Sequence, residues 1–367
     1  MRNIPLMIPS INEDDISSVV NVLRSGQLIQ GKEVEALEKS IAGYTGTDYA
    51  VCVSNGTATL HLSLIALGIG KGDEVIIPAL SYIATANVVE LVGATPVFVD
   101  VRLTNFNIDE TKIEAAITPR TKAIMPVHEF GLMSNMEAII QIAKKHSLFV
   151  IEDAACALGA KQQNKSAGSF GDLGSFSFHP RKAITSGEGG IITTNNEQLA
   201  AKLRILRNHG VDYSSGFMDF VEAGYNYRLT DFQAAMVNSQ FKRFDEILAY
   251  KQKLANIYLQ NITNTAVILP TISETHNHTW QTFHVIWQGD LLRDDLIKIL
   301  KENGIGSNYG AQCMPSQTYF QKKYKLNSEE LFPNALKAFT NGLALPLYDK
   351  MSEDDAHYVA SIINSIK

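Results

Sequence analysis

The chain is organised around the stretch Ser175-Phe176-Ser177-Phe178-His179-Pro180-Arg181-Lys182, which runs on into Ala183-Ile184-Thr185-Ser186-Gly187-Glu188-Gly189-Gly190. The alternating apolar residues predict a short β-strand that stops at Pro180, and the glycines that follow indicate tight backbone turns rather than helix. We therefore expect Lys182 just beyond the end of a strand.

The position of Lys182 suits a lysine that acts as an amine rather than as a surface cation. A partly desolvated ammonium group loses its proton more easily, and the free amine can attack a carbonyl carbon. The alternative is an ordinary solvated charge, which describes most lysines. Residues elsewhere in the chain have to decide between the two interpretations.

The segments upstream of Lys182 predict an alternation of apolar strands and amphipathic helices. Residues 13–24 and 32–44 have helical spacing. The predicted strands are residues 49–53, 74–77, 96–99, 123–126 and 148–151. Near-continuous apolar strands separated by helices indicate an α/β fold with a mainly parallel sheet sandwiched by helices.

The length of the chain predicts two domains, because 367 residues exceed the size at which one hydrophobic core stops growing. We assign residues 1–240 to a large ligand-binding domain and residues 241–367 to a smaller C-terminal α+β domain. A long helical pattern between Phe232 and Leu254 links the two. In the smaller domain, residues 281–287 alternate like a half-buried strand, and a helix over 292–303 ends at Gly304.

Composition and charge argue against several classes of protein. The apolar fraction of 45% is ordinary for a globular protein, and the net charge of -6 comes with no lysine or arginine stripe that could follow a nucleic acid. No apolar run approaches the length that crosses a bilayer, and the first residues lack the apolar stretch of a secretion signal. We therefore expect a cytoplasmic protein with neither nucleic-acid nor membrane partners.

The cysteines indicate no metal site. Cys52, Cys156 and Cys313 are far apart in sequence and form no CxxC pair. The sequence therefore predicts neither a structural zinc site nor a disulfide framework.

The residues after the first strand form a candidate anion site, because ligands of parallel sheets bind beyond the carboxyl ends of the strands. Ser54-Asn55-Gly56-Thr57-Ala58-Thr59 follows this strand and opens a helix. Glycine lets the backbone approach an anion, and the amides of Gly56, Thr57 and Ala58, with the Thr57 hydroxyl, can hold a phosphate. The alternative is a helix start capped by Asn55 or Thr57 with no ligand.

Two further strand ends carry groups suited to a flat cofactor. Tyr82 follows the second strand, where its ring can stack on a planar ligand, although a core or rim tyrosine fits equally well. Glu152 and Asp153 follow Ile151, and two acids directly beyond an apolar strand are costly to bury unless paired. Asp153 either faces a pyridine nitrogen and keeps it protonated or caps a helix that starts at Ala154.

A phosphate cradle, a stacking ring, a carboxylate and a lysine, each at a strand end, fit one cofactor. Pyridoxal 5'-phosphate combines a phosphate, a planar ring and an aldehyde that condenses with an amine. Each motif alone has an alternative interpretation, but their agreement favours this one. We therefore predict pyridoxal 5'-phosphate as the cofactor.

The chain resembles the DegT/DnrJ family of enzymes, which have the aspartate aminotransferase fold (type I fold of pyridoxal-phosphate transferases) and aminate keto sugars attached to nucleotides. The resemblance runs through nearly the whole chain. The blocks that carry it are Ser54-Asn55-Gly56-Thr57, Gly72-Asp73-Glu74-Val75-Ile76-Ile77-Pro78, Ile83-Ala84-Thr85-Ala86-Asn87, Pro126-Val127-His128, Ile151-Glu152-Asp153-Ala154-Ala155, Gly168-Ser169-Phe170-Gly171-Asp172, the Lys182 stretch, and Gly224-Tyr225-Asn226-Tyr227-Arg228.

The resemblance implies catalytic roles for two residues. Lys182 matches the lysine that condenses with the cofactor aldehyde, and Asp153 matches the acid that contacts the pyridine nitrogen. Tyr82 takes the aromatic position that stacks on the ring. Once released from the aldehyde, the Lys182 amine is the candidate that moves a proton to and from the α carbon of the amino acid.

The resemblance also implies a phosphate site shared between two subunits. Gly56, Thr57 and Ser177 match positions that hold the phosphate. Asn226 matches an asparagine that reaches the phosphate from the neighbouring subunit. We therefore expect a homodimer with shared active sites.

The activity implied is transfer of an amino group from glutamate to a nucleotide-linked keto sugar, above all a 4-keto-6-deoxy hexose, with a 3-keto sugar as the alternative. Some relatives have histidine in place of the lysine and are dehydratases, so the presence of Lys182 favours amination. A catalytically idle relative is a further alternative, against which Asp153, Lys182 and Asn226 argue.

Two residues near the motifs stay open at this point. Many family members have glutamine, near the cofactor's phenolic oxygen, where this chain has Cys156. A thiol is a weak donor, so the resemblance does not carry that contact over to this chain. His128 follows a strand and is either a contact of cofactor or substrate or a hydrogen-bonded core histidine.

Overall fold

The computed structural model describes residues 2–366, in which apolar strands alternate with helices as the sequence predicts. The strands are β1 (Tyr49–Val53), β2 (Glu74–Pro78), β3 (Leu80–Ser81), β4 (Thr95–Val99), β5 (Thr121–Ile124), β6 (Phe149–Asp153), β7 (Lys161–Gln162), β8 (Lys165–Ser166), β9 (Leu173–Ser177), β10 (Gly190–Thr194), β11 (Val211–Asp212), β12 (Asp219–Phe220), β13 (Val267–Ile268), β14 (His276–Asn277), β15 (Phe283–Trp287), β16 (Gln312–Cys313) and β17 (Gly342–Leu345).

The α-helices of the described chain include those predicted over residues 13–24, 32–44 and 292–303, each within one residue of the predicted bounds. They are α1 (Glu13–Ser25), α2 (Lys32–Thr45), α3 (Gly56–Ala66), α4 (Ala84–Leu91), α5 (Glu110–Ile113), α6 (Met136–His146), α7 (Glu197–Leu206), α8 (Asp231–Phe241), α9 (Phe244–Asn261), α10 (Arg293–Glu302), α11 (Thr318–Tyr324), α12 (Ser328–Leu331), α13 (Pro333–Thr340) and α14 (Glu353–Ser365). None of them, within residues 2–366, has the length and apolar content needed to span a bilayer.

The central sheet has the strand order β1-β10-β9-β6-β5-β2-β4. From β9 to β4 all neighbours are parallel, whereas β10 runs antiparallel to both β1 and β9. The chain therefore has the predicted α/β fold with a mainly parallel sheet.

The apolar strand sequences explain why both faces of this sheet are covered. In β2, every residue is buried. Ile76 belongs to a core cluster with residues of α2 and α6, whereas Val75 and Ile77 belong to a second cluster with residues of α3 and α4. Successive side chains of a strand point to opposite faces, so a run of apolar residues requires helices on both sides.

A separate core cluster lies mainly in the C-terminal part of the chain. It surrounds the antiparallel sheet β13-β15-β17 and includes Trp280, Phe283 and Tyr258, together with Ile4 from the N-terminal segment. The short strand β16 returns to pair with β3, so the residues after Ser81 and those before Gln312 lie side by side. The division into domains at residue 240 stays a prediction.

The long helical pattern between Phe232 and Leu254 is interrupted in the structure. Helix α8 ends at Phe241 and α9 begins at Phe244, with Arg243 outside helical geometry between them (φ -114°, ψ 15°). The Arg243 guanidinium donates hydrogen bonds to both carboxylate oxygens of the buried Asp15 (2.9 and 2.7 Å). The apolar periodicity continues across this break, which explains why the sequence predicts one helix.

A buried carboxylate joins the start of α2 to the start of α8. Asp231, which is 1% exposed, accepts hydrogen bonds from the amides of Gly31 (2.8 Å), Val34 (3.1 Å) and Glu33 (3.4 Å). The first amides of a helix have no partner within the helix, so a carboxylate at this place accepts their hydrogen bonds. Its negative charge also interacts favourably with the positive end of the helix dipole.

We expect Asp231→Ala to lower the free energy of unfolding by about 2–3 kcal/mol, because it leaves buried amides without an acceptor. The measurement is urea unfolding followed by circular dichroism. The control is Asp290→Ala at an exposed position, which should change stability by less than about 0.5 kcal/mol. Equal stability of the two variants would contradict the capping role.

Candidate active site

A cavity of about 630 Å³ opens at the carboxyl ends of the parallel strands. It lies where ligands of open α/β sheets bind, and its size is that of a small-molecule site. Most of the predicted site residues line it, namely Gly56, Thr57, Ala58, Tyr82, Asp153, Ser177 and Lys182. Asn226 is exposed and lies outside the cavity of its own chain, although the adjacent Tyr227 lines it.

Lys182 lies in a turn that begins just after β9. The turn is closed by a hydrogen bond from the Lys182 amide to the carbonyl of His179 (2.8 Å). The side chain is half-buried, and its Nζ lies 3.1 Å from Sγ of Cys156. Lys182 is thus directed into the cavity, and the solvated-cation interpretation does not describe it.

Cys156 is the residue that contacts the lysine. Burial raises the pKa of its thiol, and the positive charge of Lys182 opposes this shift. At neutral pH the thiol is protonated, so Sγ is a weak acceptor for Nζ. Sequence reasoning treated Cys156 only as a departure from the family pattern and missed this contact.

Asp153 is the last residue of β6, so the strand runs two residues further than the sequence predicts. Its Oδ2 accepts a hydrogen bond from the Thr85 hydroxyl (2.8 Å), and its Oδ1 accepts one from the Ala155 amide (3.3 Å). Burial raises the pKa of Asp153, against the opposing effects of these two bonds and of Lys182. The helix-cap alternative for Asp153 is wrong, since the next helix in the described chain is α7.

Glu152 points to the opposite side of the strand and is fully buried. Its carboxylate accepts hydrogen bonds from three backbone amides, those of Gly168 (2.9 Å), Phe170 (2.7 Å) and Gly171 (2.8 Å). A fourth partner is Nε2 of His128 at 2.9 Å. These four hydrogen bonds offset the free-energy cost of burying the Glu152 carboxylate, which the sequence predicts to be paired.

His128 is a core histidine, which decides one of the open alternatives. It is fully buried, its Nδ1 accepts a hydrogen bond from the Ser134 amide (3.2 Å), and its Nε2 donates to Glu152. Both ring nitrogens are therefore occupied within the chain, and the residue does not line the cavity.

The start of α3 forms a cradle against the end of β9. A Cβ atom on Gly56 would lie only 2.8 Å from Cβ of Ser177, so only glycine allows this approach. The Asn55 side chain caps the helix by accepting a hydrogen bond from the Ala58 amide (2.8 Å), so this amide, contrary to the sequence prediction, is not free for a phosphate. Among residues 2–366, the amides of Gly56 and Thr57 make no hydrogen bond.

The cradle suits a phosphate. It offers two free amides, the hydroxyls of Thr57 and Ser177, and the cations Arg181 and Lys182 along the same cavity. Free amides at a helix start with basic side chains nearby are the usual environment of a bound phosphate. Tyr82, 67% exposed on the cavity rim, stacks on no other aromatic ring in the described part of the chain.

Glu129 is a cavity residue that sequence reasoning missed. It lies beyond the end of β5, is 5% exposed, and lines the cavity with Asp153 and Lys182. Burial, with the nearby charge of Asp153, raises the pKa of Glu129 to about 8, while Lys182 opposes the shift. An acid directly after the strand-end motif Pro126-Val127-His128 was the available signal.

Comparison with known proteins gives consistent matches over the whole chain. The model of the DegT/DnrJ/EryC1/StrS aminotransferase family matches residues 9–364. GDP-perosamine synthase of Caulobacter vibrioides is 41% identical over 343 residues, covering 92% of this chain and 90% of that protein. UDP-4-amino-4-deoxy-L-arabinose–oxoglutarate aminotransferase of Shewanella sediminis is 37% identical over 381 residues, covering 99% of this chain and 98% of the relative.

The fold is also that of a protein of known structure, Spr1654 from Streptococcus pneumoniae. Its PMP form superposes with a TM-score of 0.94 at 31% identity, covering 99% of this chain and 97% of that chain. Its PLP form gives a TM-score of 0.93.

The hydrogen bond from Thr85 to Asp153 generates a stability prediction. Because the pKa of Asp153 is raised in the folded state, its contribution to stability falls as pH rises. Thr85→Val removes a donor to the carboxylate, so we expect a loss of about 1–3 kcal/mol at a pH above the raised pKa of Asp153, where the carboxylate is charged, and a smaller loss at a pH below it. Thermal unfolding at both pH values measures it, with Thr85→Ser as the control. A loss that does not grow with pH would contradict the assignment.

Proposed function

Because this chain belongs to the DegT/DnrJ/EryC1/StrS aminotransferase family, we propose that it transfers the amino group of glutamate to a nucleotide-linked 4-keto-6-deoxy hexose. The chain is an enzyme, an aminotransferase that uses pyridoxal 5'-phosphate. The predicted family, enzyme class and cofactor are thereby confirmed, whereas the sugar and the amino donor are part of the proposal.

The names of two relatives support the choice of substrates. Both GDP-perosamine synthase and the UDP-4-amino-4-deoxy-L-arabinose aminotransferase are named for nucleotide-linked sugars. The second name places the amino group at position 4 and gives oxoglutarate as the partner, which is the keto acid that corresponds to glutamate. A 4-keto sugar and glutamate are therefore the substrates that we propose.

The observation that carries the proposal is the meeting of three groups in one cavity. Lys182 supplies an amine, Asp153 a buried carboxylate, and the approach of Gly56 to Ser177 an anion cradle, although up to 126 residues separate them. An amine, an acid and an anion cradle are what a pyridoxal-phosphate enzyme needs.

The residues of the chain would hold the cofactor as follows. The amides of Gly56 and Thr57 and the hydroxyl of Ser177 bind the phosphate, and the ring of Tyr82 covers the pyridine ring. Asp153, whose carboxylate accepts a hydrogen bond from Thr85, would hold the protonated pyridine nitrogen.

Lys182 performs the proton transfer. When bound, pyridoxal 5'-phosphate supplies an electron sink that makes the α proton of an amino acid acidic. The Lys182 Nζ takes this proton and later returns one to the carbon that receives nitrogen, as a general base and then a general acid. Cys156, 3.1 Å from Nζ, is the neighbour that orients the amine.

We expect the purified protein with pyridoxal 5'-phosphate to convert glutamate to 2-oxoglutarate only when a suitable keto sugar is present. The test is a panel of dTDP-, UDP- and GDP-linked 4-keto-6-deoxy hexoses, with 3-keto sugars for comparison. Mass spectrometry identifies the amino sugar, and coupled assay of 2-oxoglutarate gives the rate. The proposal would be contradicted if the protein aminated none of the 4-keto sugars.

In the same assay, Lys182→Ala should lower the rate by at least about 1,000-fold, because it removes the base that moves the proton. Lys144→Ala, at an exposed position of α6, is the matched control and should keep full activity. Turnover retained by the Lys182 variant would contradict the assignment of the base.

We also propose a homodimer in which each active site takes Asn226 from the neighbouring subunit. Asn226 is exposed and lies outside the cavity of its own chain. The hairpin β11–β12 upstream of it exposes large apolar side chains, with Phe217 80% and Phe220 60% exposed. Clustered exposed apolar residues of this kind indicate a protein interface.

Mixed dimers test the shared site. Chains with Lys182→Ala and chains with Asn226→Ala, co-expressed with different tags, should form a heterodimer with one site free of both changes. We expect activity well above that of either parent at limiting cofactor. If Lys182 and Asn226 served the same site from one chain, every site would carry a change, and the heterodimer would show no recovery.

A further inference from the structure

Glu129 is a second acid in the cavity, and one oxygen of its side chain has no partner among the described residues. Its Oε2 is buried and takes part in no hydrogen bond with any of residues 2–366, and the backbone of Phe130 is the one donor that lowers the pKa of this carboxyl. A buried polar atom without a partner costs free energy, and in native structures such atoms are rare. Its place on the cavity wall indicates that the missing partner is a bound molecule.

The backbone holds Glu129 in this place despite a local strain. The Glu129 amide donates to the Asn107 side chain (2.8 Å), and the His128 amide donates to the carbonyl of Asp153 (3.0 Å). The next residue, Phe130, has a φ of 56°, in the left-handed region that residues other than glycine seldom adopt. Strain that persists beside a cavity is typical of residues held for function.

The groups around Glu129 and Asp153 decide which of these two acids keeps a proton. Asp153, Cys156 and Lys182 are the titratable groups that face it across the cavity. Asp153 has a donor for each of its carboxylate oxygens, whereas Oε2 of Glu129 has none. Two nearby acids of unequal environment separate into a charged and a neutral member, and here Glu129 is the neutral one.

We propose that Glu129 binds the sugar: its protonated carboxyl donates a hydrogen bond to an uncharged oxygen, a carbonyl or a hydroxyl, of the keto sugar in the cavity. The inference rests on the proposed function, because it takes the keto sugar as the ligand. A neutral carboxylic acid is a donor that a sugar oxygen accepts, whereas a carboxylate in its place could only accept. The proton of Glu129 therefore makes it a specificity residue for the sugar.

The protonation state can be measured without any substrate. Infrared spectra of the full-length holoenzyme, taken between pH 6 and 10, should contain the C=O stretch of a protonated buried carboxyl that disappears as pH rises through about 8. Glu129→Gln should lack this band, and the exposed Glu137→Gln should keep it. A band that is unchanged in the Glu129 variant, or no such band in the wild type, overturns the inference.

Steady-state kinetics test the contact with the sugar. In the wild type the KM for the keto sugar should rise above pH 8 as the proton leaves, while the KM for glutamate follows no such change. Glu129→Gln keeps an N–H donor at every pH, so its KM for the sugar should be flat. Glu129→Leu has no donor and should raise this KM roughly tenfold or more at all pH values.

The outcomes separate the two claims. Equal pH profiles of the wild type and Glu129→Gln overturn the contact even if the sugar is aminated. A wild type that aminates no sugar overturns the proposed function and with it the sugar contact, whereas the infrared titration still shows whether Glu129 carries the proton.

Discussion

The carboxylate of Glu152 is fully buried at the end of β6, and four hydrogen bonds hold it there. Three come from amides of the segment that leads into β9, and the fourth comes from His128, beyond the end of β5. One acid thus fixes three neighbouring strand ends relative to each other. Because side chains alternate along a strand, the same fixation turns Asp153 toward the cavity, so the floor of the site depends on an acid that never contacts the ligand.

Three acids near these strand ends differ in their partners, and their partners decide their chemistry. Glu152 has four donors, Asp153 has two donors and the nearby Lys182, and Oε2 of Glu129 has none. Burial raises the pKa of both Asp153 and Glu129, and the hydrogen bonds from Thr85 and Ala155 oppose this shift at Asp153. Glu152 therefore ties strands together, whereas Asp153 and Glu129 face the cavity, where we propose a cofactor contact for Asp153 and a hydrogen bond to the sugar for Glu129.

Much of the fold and site was predictable from local sequence. The strand at residues 49–53, the capped start of α3, and Lys182 beyond β9 follow from apolar patterning and from glycine and proline, which are local signals. The break at Arg243 was not predictable, because its cause is a hydrogen-bonded pair with Asp15, 228 residues away. The contacts of Cys156 with Lys182 and of His128 with Glu152 also join distant segments, and no spacing in the sequence encodes them.

The pairing of β3 with β16 sets Ser81 opposite Gln312 and Leu80 opposite Cys313. More than two hundred residues separate the two strands. The cavity wall that carries Tyr82 therefore depends on pairing with β16, the later strand in the sequence. During translation, at roughly 5–20 residues per second, the ribosome reaches β16 only some tens of seconds after β3. The nascent chain can build its parallel sheet early, but it completes the wall beside Tyr82 only after β16 has been made.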